Sequence, residues 1–297
     1  MGKGKILFSI GILFIISLLT MVYCCPNRPS TLKEKEADKL DTPNNPISYA
    51  YDDKDAQSTT EEVRQQSKQE YIDGWQLVWE DDFNWGGLEP SKWNIVDWAA
   101  EKNEELQYYS PNNVKVEDGY LKLIAKKETY GGRNYTSGAI NTKGKYSFLY
   151  GKVEMRAKLP KGQGMFPAFW MMTNKENTWL PEIDILEMLG HKPEEIWMVF
   201  HWLDENESLK SVSNSIIGPD FSESFHTFGI EWSADSIVWF IDGEERFRTT
   251  NHIPKEEMYI YLNTAIGGVW PGNPDETTKF PTFYEIDYVK VYQKNGR

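Results

Sequence analysis

The sequence predicts an all-β protein built as an antiparallel β-sandwich. Short segments alternate apolar and polar residues with a period of two, which is typical of half-buried strands. Turn residues separate these segments, and no comparable stretch has the period of a long amphipathic helix. Many short strands without intervening helices favour two packed antiparallel sheets.

The first element is a signal or membrane-anchor segment, predicted over residues 1–25. Lys3 and Lys5 precede an uncharged apolar run at residues 6–23, whose length borders on that of a membrane span. No small-residue cleavage signal follows, and Cys24 lacks the small preceding residue typical of a lipid-modified cysteine. We therefore expect an uncleaved anchor, with a cleaved signal peptide or a lipoprotein signal as alternatives. Either way, the rest of the chain is predicted to be extracytoplasmic, membrane-anchored or secreted.

A polar linker follows at residues 26–72. Its charges are mixed and it contains no Trp, so it cannot supply a hydrophobic core and is predicted to be disordered. All 12 tryptophans of the chain fall between Trp75 and Trp270. The folded domain is therefore predicted to span residues 73–297.

Within this domain, one segment carries a strong hairpin signal. Trp239, Ile241 and Phe247 flank the turn dipeptide Asp242-Gly243. The alternating segments predicted as strands lie at residues 120–127, 151–160, 181–189, 195–202, 226–233, 236–249 and 284–293.

The overall composition excludes several classes of function. A net charge of −13 argues against nucleic acid as a partner. The two cysteines, Cys24 and Cys25, are adjacent, so the domain has no disulfide framework and no cysteine-based zinc site. The four histidines are not paired at metal-ligand spacing, so we expect no catalytic cofactor.

The segment 181–189 contains three carboxylates, those of Glu182, Asp184 and Glu187. In a regular strand Glu187 would face away from the other two, because side chains alternate. A one-residue bulge at Ile185-Leu186 would return Glu187 to the face of the other carboxylates and turn both apolar residues toward the core. We therefore predict a bulged strand.

Clustered carboxylates repel one another, which raises the pKa of at least one of them. Retaining glycoside hydrolysis needs such a set: an ionised nucleophile and a protonated acid about 5 to 5.5 Å apart. A solvated acidic strand edge is the alternative explanation. The abundant aromatic residues, 14% of the chain, favour the sugar-binding interpretation.

The order of motifs resembles glycoside hydrolase family 16, especially its laminarinase- and licheninase-like β-glucanases. The similar stretches are the E-I-D-I-L-E run, Trp98, and residues 103–114, 135–172 and 263–281. The resemblance implies a β-jelly roll of two curved antiparallel sheets with a concave substrate cleft. It also implies that Glu182 is the nucleophile, that Asp184 assists it, and that Glu187 is the acid/base. One departure from the family is Leu180-Pro181, where many laminarinases have Ser-Gly or Cys-Gly.

Further site residues are predicted around this motif. Trp98, Trp179 and Trp270 lie in turn-rich surroundings, which suits sugar-stacking platforms better than core packing. His201 ends the following strand, where it has either a structural role or a contact with Glu187 or the sugar. The resemblance adds Asn263, Glu154 and Arg156 as substrate-binding residues, although a cross-strand ion pair is the alternative for the last two. It also places a structural calcium ion at Asp82, Gly119 and Asp287, a set of oxygen ligands that suits Ca²⁺.

Together, these features predict a monomeric, retaining endo-glycosidase that cleaves internal β-1,3 or mixed β-1,3/1,4 glucan linkages. A hydrolase or transglycosylase of another β-linked polysaccharide, such as a galactan, is one alternative. A non-catalytic, lectin-like jelly roll is another, but such proteins usually lose one motif glutamate, and both are present here.

Overall fold

The computed structural model describes residues 71–72 and 74–294 of the chain. The predicted anchor, and the predicted linker up to residue 70, lie outside the described residues. Within the described part, no helix is long and apolar enough to cross a membrane. The first strand begins at Tyr71, so the last two residues of the predicted linker belong to a sheet.

The described residues form strands and one short 3₁₀ helix, at Pro111–Asn113. The strands are β1 (Tyr71–Ile72), β2 (Trp75–Asp81), β3 (Asn94–Ile95), β4 (Trp98–Ala99), β5 (Gln107–Tyr109), β6 (Val114–Glu117), β7 (Tyr120–Ala125), β8 (Tyr135–Ser137), β9 (Ala139–Asn141), β10 (Gly151–Lys158), β11 (Met165–Thr173), β12 (Glu182–Met188), β13 (Glu195–Leu203), β14 (Leu209–Ile217), β15 (His226–Trp232), β16 (Ile237–Ile241), β17 (Glu244–Thr249), β18 (Met258–Ile266) and β19 (Thr282–Lys294).

Two large sheets contain most of these strands. The nine-stranded sheet has the order β1-β2-β19-β10-β15-β16-β17, with β7 also paired to β19 and β6 to β7. The seven-stranded sheet has the order β14-β13-β12-β11-β18-β9-β3, and a small third sheet has the order β4-β5-β8. Neighbouring strands of the two large sheets are antiparallel, as predicted, whereas β5 and β8 pair in parallel.

The hydrophobic core lies between the two large sheets. Val153 and Met155 of β10 contribute to it from the nine-stranded sheet, and Ile183 of β12 contributes from the seven-stranded sheet. Trp232 and Trp239 are only 1% and 0% exposed, so both are core residues. Each sheet therefore turns one face to the core and leaves the other face available for polar side chains.

All seven segments predicted from the period of two contain strands. The segment 236–249 divides into β16 and β17, and the turn between them, Asp242-Gly243, has positive φ at both residues, 52° and 78°. This geometry is that of the expected tight hairpin turn. The strands β11 and β18 were not predicted, since both are buried on most of their length and show no clear alternation.

Candidate active site

The acidic strand β12 contains the predicted β-bulge. Asp184 pairs with Val199 of β13, and the next pair joins Glu187 to Trp197, so β12 has one more residue than β13 between these pairs. The two apolar residues of β12 in this interval are both buried in the core. The bulge therefore places Glu182, Asp184 and Glu187 on the same outer face of the seven-stranded sheet.

Three rows of side chains cross this outer face, because residues that pair directly point to the same side of a sheet. Each row contains one of the three carboxylates. We refer to these side chains as the floor: His201, Glu182, Met172 and Tyr259 in the first row; Val199, Asp184, Trp170 and Tyr261 in the second; Trp197, Glu187, Ala168 and Asn263 in the third.

One side of the floor is bounded by a second apolar cluster. Tyr259 and Tyr261 of β18 pack in it with Val96, Ala100 and Tyr109, residues in or next to the small third sheet. This sheet therefore forms a wall beside the floor rather than part of the main core.

Burial dominates the electrostatics of the floor. It raises the pKa of Glu187 to about 8. It also raises the pKa of Glu182, and repulsion from Glu187 adds to the effect. The pKa of Asp184 is raised by burial and by the charges of both glutamates. The set therefore holds protons at pH values where exposed carboxylates have lost them.

His201 lies beside the carboxylates as a neutral side chain. Its Nε2 atom is 3.6 Å from Oδ2 of Asp184, and burial lowers its pKa to about 4. One carboxylate oxygen of Glu182, one of Asp184 and one ring nitrogen of His201 all lie within 4.8 Å of one another. The arrangement brings together two carboxylates and a neutral imidazole at one point of the floor.

Comparisons with known proteins identify the family. The model of "Glycosyl hydrolases family 16" matches residues 101–290, well over half of the chain. The chain belongs to glycosyl hydrolase family 16. A second model, "Beta-glucan synthesis-associated protein SKN1/KRE6/Sbg1", matches residues 3–178.

Relatives and solved structures of this family cover most of the chain. A beta-glucanase of Rhodothermus marinus is 36% identical, over 74% of this chain and 85% of its own length. A glucan endo-1,3-beta-glucosidase of Cryptopygus antarcticus is 35% identical, over 74% and 93%. The laminarinase catalytic domain of Thermotoga maritima superimposes with a TM-score of 0.70 at 37% identity, covering 75% of this chain and 99% of that domain. The fold is therefore the β-jelly roll that the family resemblance implied.

The three predicted stacking tryptophans lie around the floor. Trp179 is 41% exposed, and its ring meets the ring of His201 edge-on with centroids 6.1 Å apart. Trp270 meets Trp197 edge-on at 5.5 Å, next to the row of Glu187. Trp98 is 53% exposed and pairs with Tyr109 in the wall. Their positions are compatible with sugar contacts on both sides of the carboxylates.

Asn263 has its amide group engaged by neighbouring side chains. Its Oδ1 accepts a hydrogen bond of 2.8 Å from Nε1 of Trp170, and its Nδ2 donates one of 2.9 Å to the hydroxyl of Tyr109. In this structure Asn263 fixes the orientation of Trp170, which pairs directly with Asp184. The predicted contact of Asn263 with substrate stays a prediction.

Trp170 and Trp197 are floor residues that the sequence analysis missed. Trp197 lies opposite Glu187, and Trp170 lies opposite Asp184. The sequence could have predicted the position of Trp197, because Trp197 and His201 are four residues apart on one predicted strand and therefore share a face.

The prediction that Glu154 and Arg156 bind substrate is wrong. Both lie on β10 of the nine-stranded sheet, on the opposite side of the core from the floor. Glu154 accepts a hydrogen bond of 2.7 Å from the hydroxyl of Tyr288, and Arg156 donates to Asp287. The alternation on β10 correctly indicates a charged face, but a pattern in one strand does not tell which sheet that strand joins.

The predicted calcium ligands come together at one place of the nine-stranded sheet. Asp287 lies where the partner of β19 changes from β7 to β2; Asp82 follows β2, and Gly119 precedes β7. Asp287 already accepts a hydrogen bond from the guanidinium of Arg156, which neutralises much of its charge. A calcium ion would therefore compete with Arg156 for this carboxylate, and the calcium site stays a prediction.

Proposed function

We propose that this protein is a retaining endo-β-glucanase that cleaves internal β-1,3 or mixed β-1,3/1,4 linkages by double displacement. The observation that carries the proposal is the bulged strand β12, which brings Glu182, Asp184 and Glu187 to one face. The names of its relatives, including beta-glucanase and glucan endo-1,3-beta-glucosidase, support a β-glucan substrate.

In the first step, Glu187 donates its proton to the glycosidic oxygen while Glu182 attacks the anomeric carbon. The raised pKa of Glu187, about 8, keeps this proton in place at neutral pH. The products are a shortened sugar chain with a free hydroxyl and a covalent glycosyl-enzyme on Glu182. Asp184 adjusts the charge of the nucleophile from its neighbouring position on the same face.

In the second step, Glu187 is ionised and accepts a proton from water as the water attacks the glycosyl-enzyme. Glu182 is then released as a carboxylate, and Glu187 is again the protonated acid. Two displacements at the same carbon retain its anomeric configuration. Neutral His201 lies at the floor beside Asp184 and can donate a hydrogen bond without adding positive charge.

A panel of soluble polysaccharides tests the proposal. We expect hydrolysis of laminarin and lichenan to short oligosaccharides of several sizes from the first minutes, and little or no hydrolysis of agarose and xyloglucan. Proton NMR of the first products should show the β anomer before mutarotation. Cleavage of agarose alone would move the substrate to a galactan, and products with the α anomer first would exclude the retaining mechanism.

Two observations favour specific alternatives. A keratan-sulfate endo-1,4-beta-galactosidase of Sphingobacterium multivorum is 27% identical over 74% of this chain, which keeps a galactan substrate open. The match to a family associated with beta-glucan synthesis favours transglycosylation, in which a sugar hydroxyl replaces water in the second step. Adding a labelled laminari-oligosaccharide as acceptor separates transglycosylation from hydrolysis, because a transglycosylase makes labelled products longer than the acceptor.

We also propose that the enzyme works outside the cytoplasm, tethered to a membrane through residues 1–25, as a monomer. The apolar run at residues 6–23 supports the tether. Calcium at Asp82, Gly119 and Asp287 would have a structural role only.

A further inference from the structure

One side chain crosses the core to contact the backbone of the catalytic strand. Trp239 belongs to β16 of the nine-stranded sheet and is 0% exposed. Its indole Nε1 donates a hydrogen bond of 2.9 Å to the backbone carbonyl oxygen of Asp184, in the opposite sheet. The two residues are 55 positions apart in the chain, so only the packing of the sheets brings them together.

The accepting carbonyl lies at the start of the bulge. The register between β12 and β13 breaks immediately after Asp184 and resumes at Glu187. In a regular strand, carbonyl groups point along the sheet to the neighbouring strand. The Asp184 carbonyl instead meets a donor from the opposite sheet, so it is turned toward the core, where water cannot satisfy it.

The indole ring is itself held in place. Its centroid lies 4.9 Å from that of Phe247 on β17. Trp239 pairs with Ile230 of β15 in regular register and with Phe247 at the last pair before a register shift between β16 and β17. A buried ring with a neighbouring strand on each side has little freedom to follow the carbonyl if the bulge shifts. The packing of the indole ring therefore holds its N–H donor in place, and the hydrogen bond restrains the Asp184 carbonyl at the start of the bulge.

We propose that Trp239 is a positioning residue that fixes the bulge and thereby sets the place of Glu187 relative to Glu182. The inference rests on the proposed roles of these two glutamates. Without the indole donor, we expect the Asp184 carbonyl to rotate back toward a neighbouring strand of its own sheet. This rotation would change the backbone conformation of the two residues between Asp184 and Glu187. A displacement of about 1 Å at a reacting group can lower the rate about 100-fold.

Two other buried tryptophans provide matched controls. Trp93 is 1% exposed, and its Nε1 donates a hydrogen bond of 2.8 Å to Asp81, away from β12. Trp232 is 1% exposed, and its buried Nε1 has no hydrogen-bond partner in the described part of the chain. Trp93→Phe thus removes a buried tryptophan and its hydrogen bond, whereas Trp232→Phe removes a buried tryptophan alone.

The experiment compares Trp239→Phe, Trp93→Phe and Trp232→Phe in the full chain. Each variant is assayed on laminarin and on an aryl β-oligoglucoside with a good leaving group, which needs little help from the acid. For Trp239→Phe we expect kcat on laminarin to fall at least about ten-fold, with KM within about two-fold of the unmodified chain. On the aryl glycoside, the rate of the first step should fall clearly less. The two control variants should lose equal fractions on both substrates.

The two-substrate ratio separates positioning from folding. A smaller folded fraction lowers both activities equally, so an unchanged ratio in Trp239→Phe would overturn the proposal. If that variant does not fold, benzothienylalanine at position 239 replaces the N–H with sulfur at nearly constant volume, and the same change in the ratio is expected. Absence of hydrolysis by the unmodified chain would contradict the proposed function instead, without bearing on the Trp239 contact.

Discussion

Glu187 combines the geometry and the protonation state that a general acid needs. It lies on the floor opposite Trp197, and burial raises its pKa to about 8. An exposed glutamate would be ionised at pH 7 and would have no proton to give. The bulge places Glu187 on the floor, and the buried surroundings raise its pKa so that it keeps its proton. The position and the protonation state of Glu187 therefore depend on the same local structure.

The first prediction concerns pH. If Glu187 is the acid, as proposed, it must be protonated in the free enzyme, so kcat/KM on laminarin should decline as the pH rises through about 8. At lower pH, kcat/KM should rise with pH as the carboxylate set loses the proton that would otherwise neutralise the nucleophile. The apparent pKa of this acidic limb belongs to the set rather than to one residue. Initial rates between pH 4 and pH 10 measure both limbs. A decline centred well below pH 6 would show that the acid is not a buried group.

The second prediction separates the two glutamates by their chemistry. Glu187→Ala should lower kcat on laminarin by about 10² to 10⁴-fold, but should lose much less in the first step on an aryl glycoside with a good leaving group. Added azide should replace water in the second step and restore turnover of the aryl glycoside, giving a β-glycosyl azide.

Glu182→Ala is the matched variant for this test. It removes the proposed nucleophile, so it should be inactive on both substrates, and azide should give an α-glycosyl azide. The same azide anomer from both variants would contradict the assigned roles.

At the scale of elements, the bulge is a feature that could be predicted from the sequence. The spacing of Glu182, Asp184 and Glu187 makes sense on one face only if one residue is extra, and the register of β12 confirms this. The neighbouring strands were harder to predict. Most residues of β11 are buried, so the polar positions that mark a strand with one solvent-exposed face are missing. For this reason Trp170, the floor residue opposite Asp184, was missed.

The third prediction tests the bulge itself. Deleting Leu186 should convert β12 into a regular strand in which the last glutamate still faces the floor. The core loses a fully buried leucine, at a cost of about 2 to 5 kcal/mol in the free energy of unfolding. Leu186→Ala is the matched control, because it creates a similar void and keeps the bulge.

Denaturation midpoints and laminarin kinetics measure the two effects separately. We expect both Leu186 variants to unfold at lower denaturant concentration than the unmodified chain. Only the deletion should change kcat by more than about ten-fold, since it alters the distance between the two glutamates. Equal kcat values for the two variants would show that the bulge does not set this distance.

At the scale of the whole molecule, the two sheets have different outer faces. The seven-stranded sheet presents the floor, whereas β10 of the nine-stranded sheet presents paired charges such as Arg156 with Asp287 and Lys158 with Glu285. Alternating apolar and charged residues predict an outer face in both cases. The assignment of Glu154 and Arg156 to the substrate was wrong because strand partners far apart in the sequence decide which sheet a strand joins.

The last prediction concerns the N-terminal residues. Pairing with β2 begins at Tyr71, so removing residues 1–70 leaves every strand of the described part intact. The truncated chain should therefore hydrolyse soluble laminarin with kcat and KM within about two-fold of the full chain, since the floor lies wholly within the remaining residues. On the sequence expectation, the full chain should sediment with membranes and the truncated chain should not.

The predicted linker adds a quantitative expectation. A random coil over residues 26–70 has a root-mean-square reach of roughly 35 to 40 Å, which would keep the floor close to the membrane surface while allowing the domain to reorient. Moving the domain closer, by deleting half of the linker, should slow the hydrolysis of large insoluble glucan more than that of soluble laminarin. When the full chain is expressed, recovery of a mature protein in the medium with an N-terminus near residue 25 would show a cleaved signal peptide and would exclude the tether.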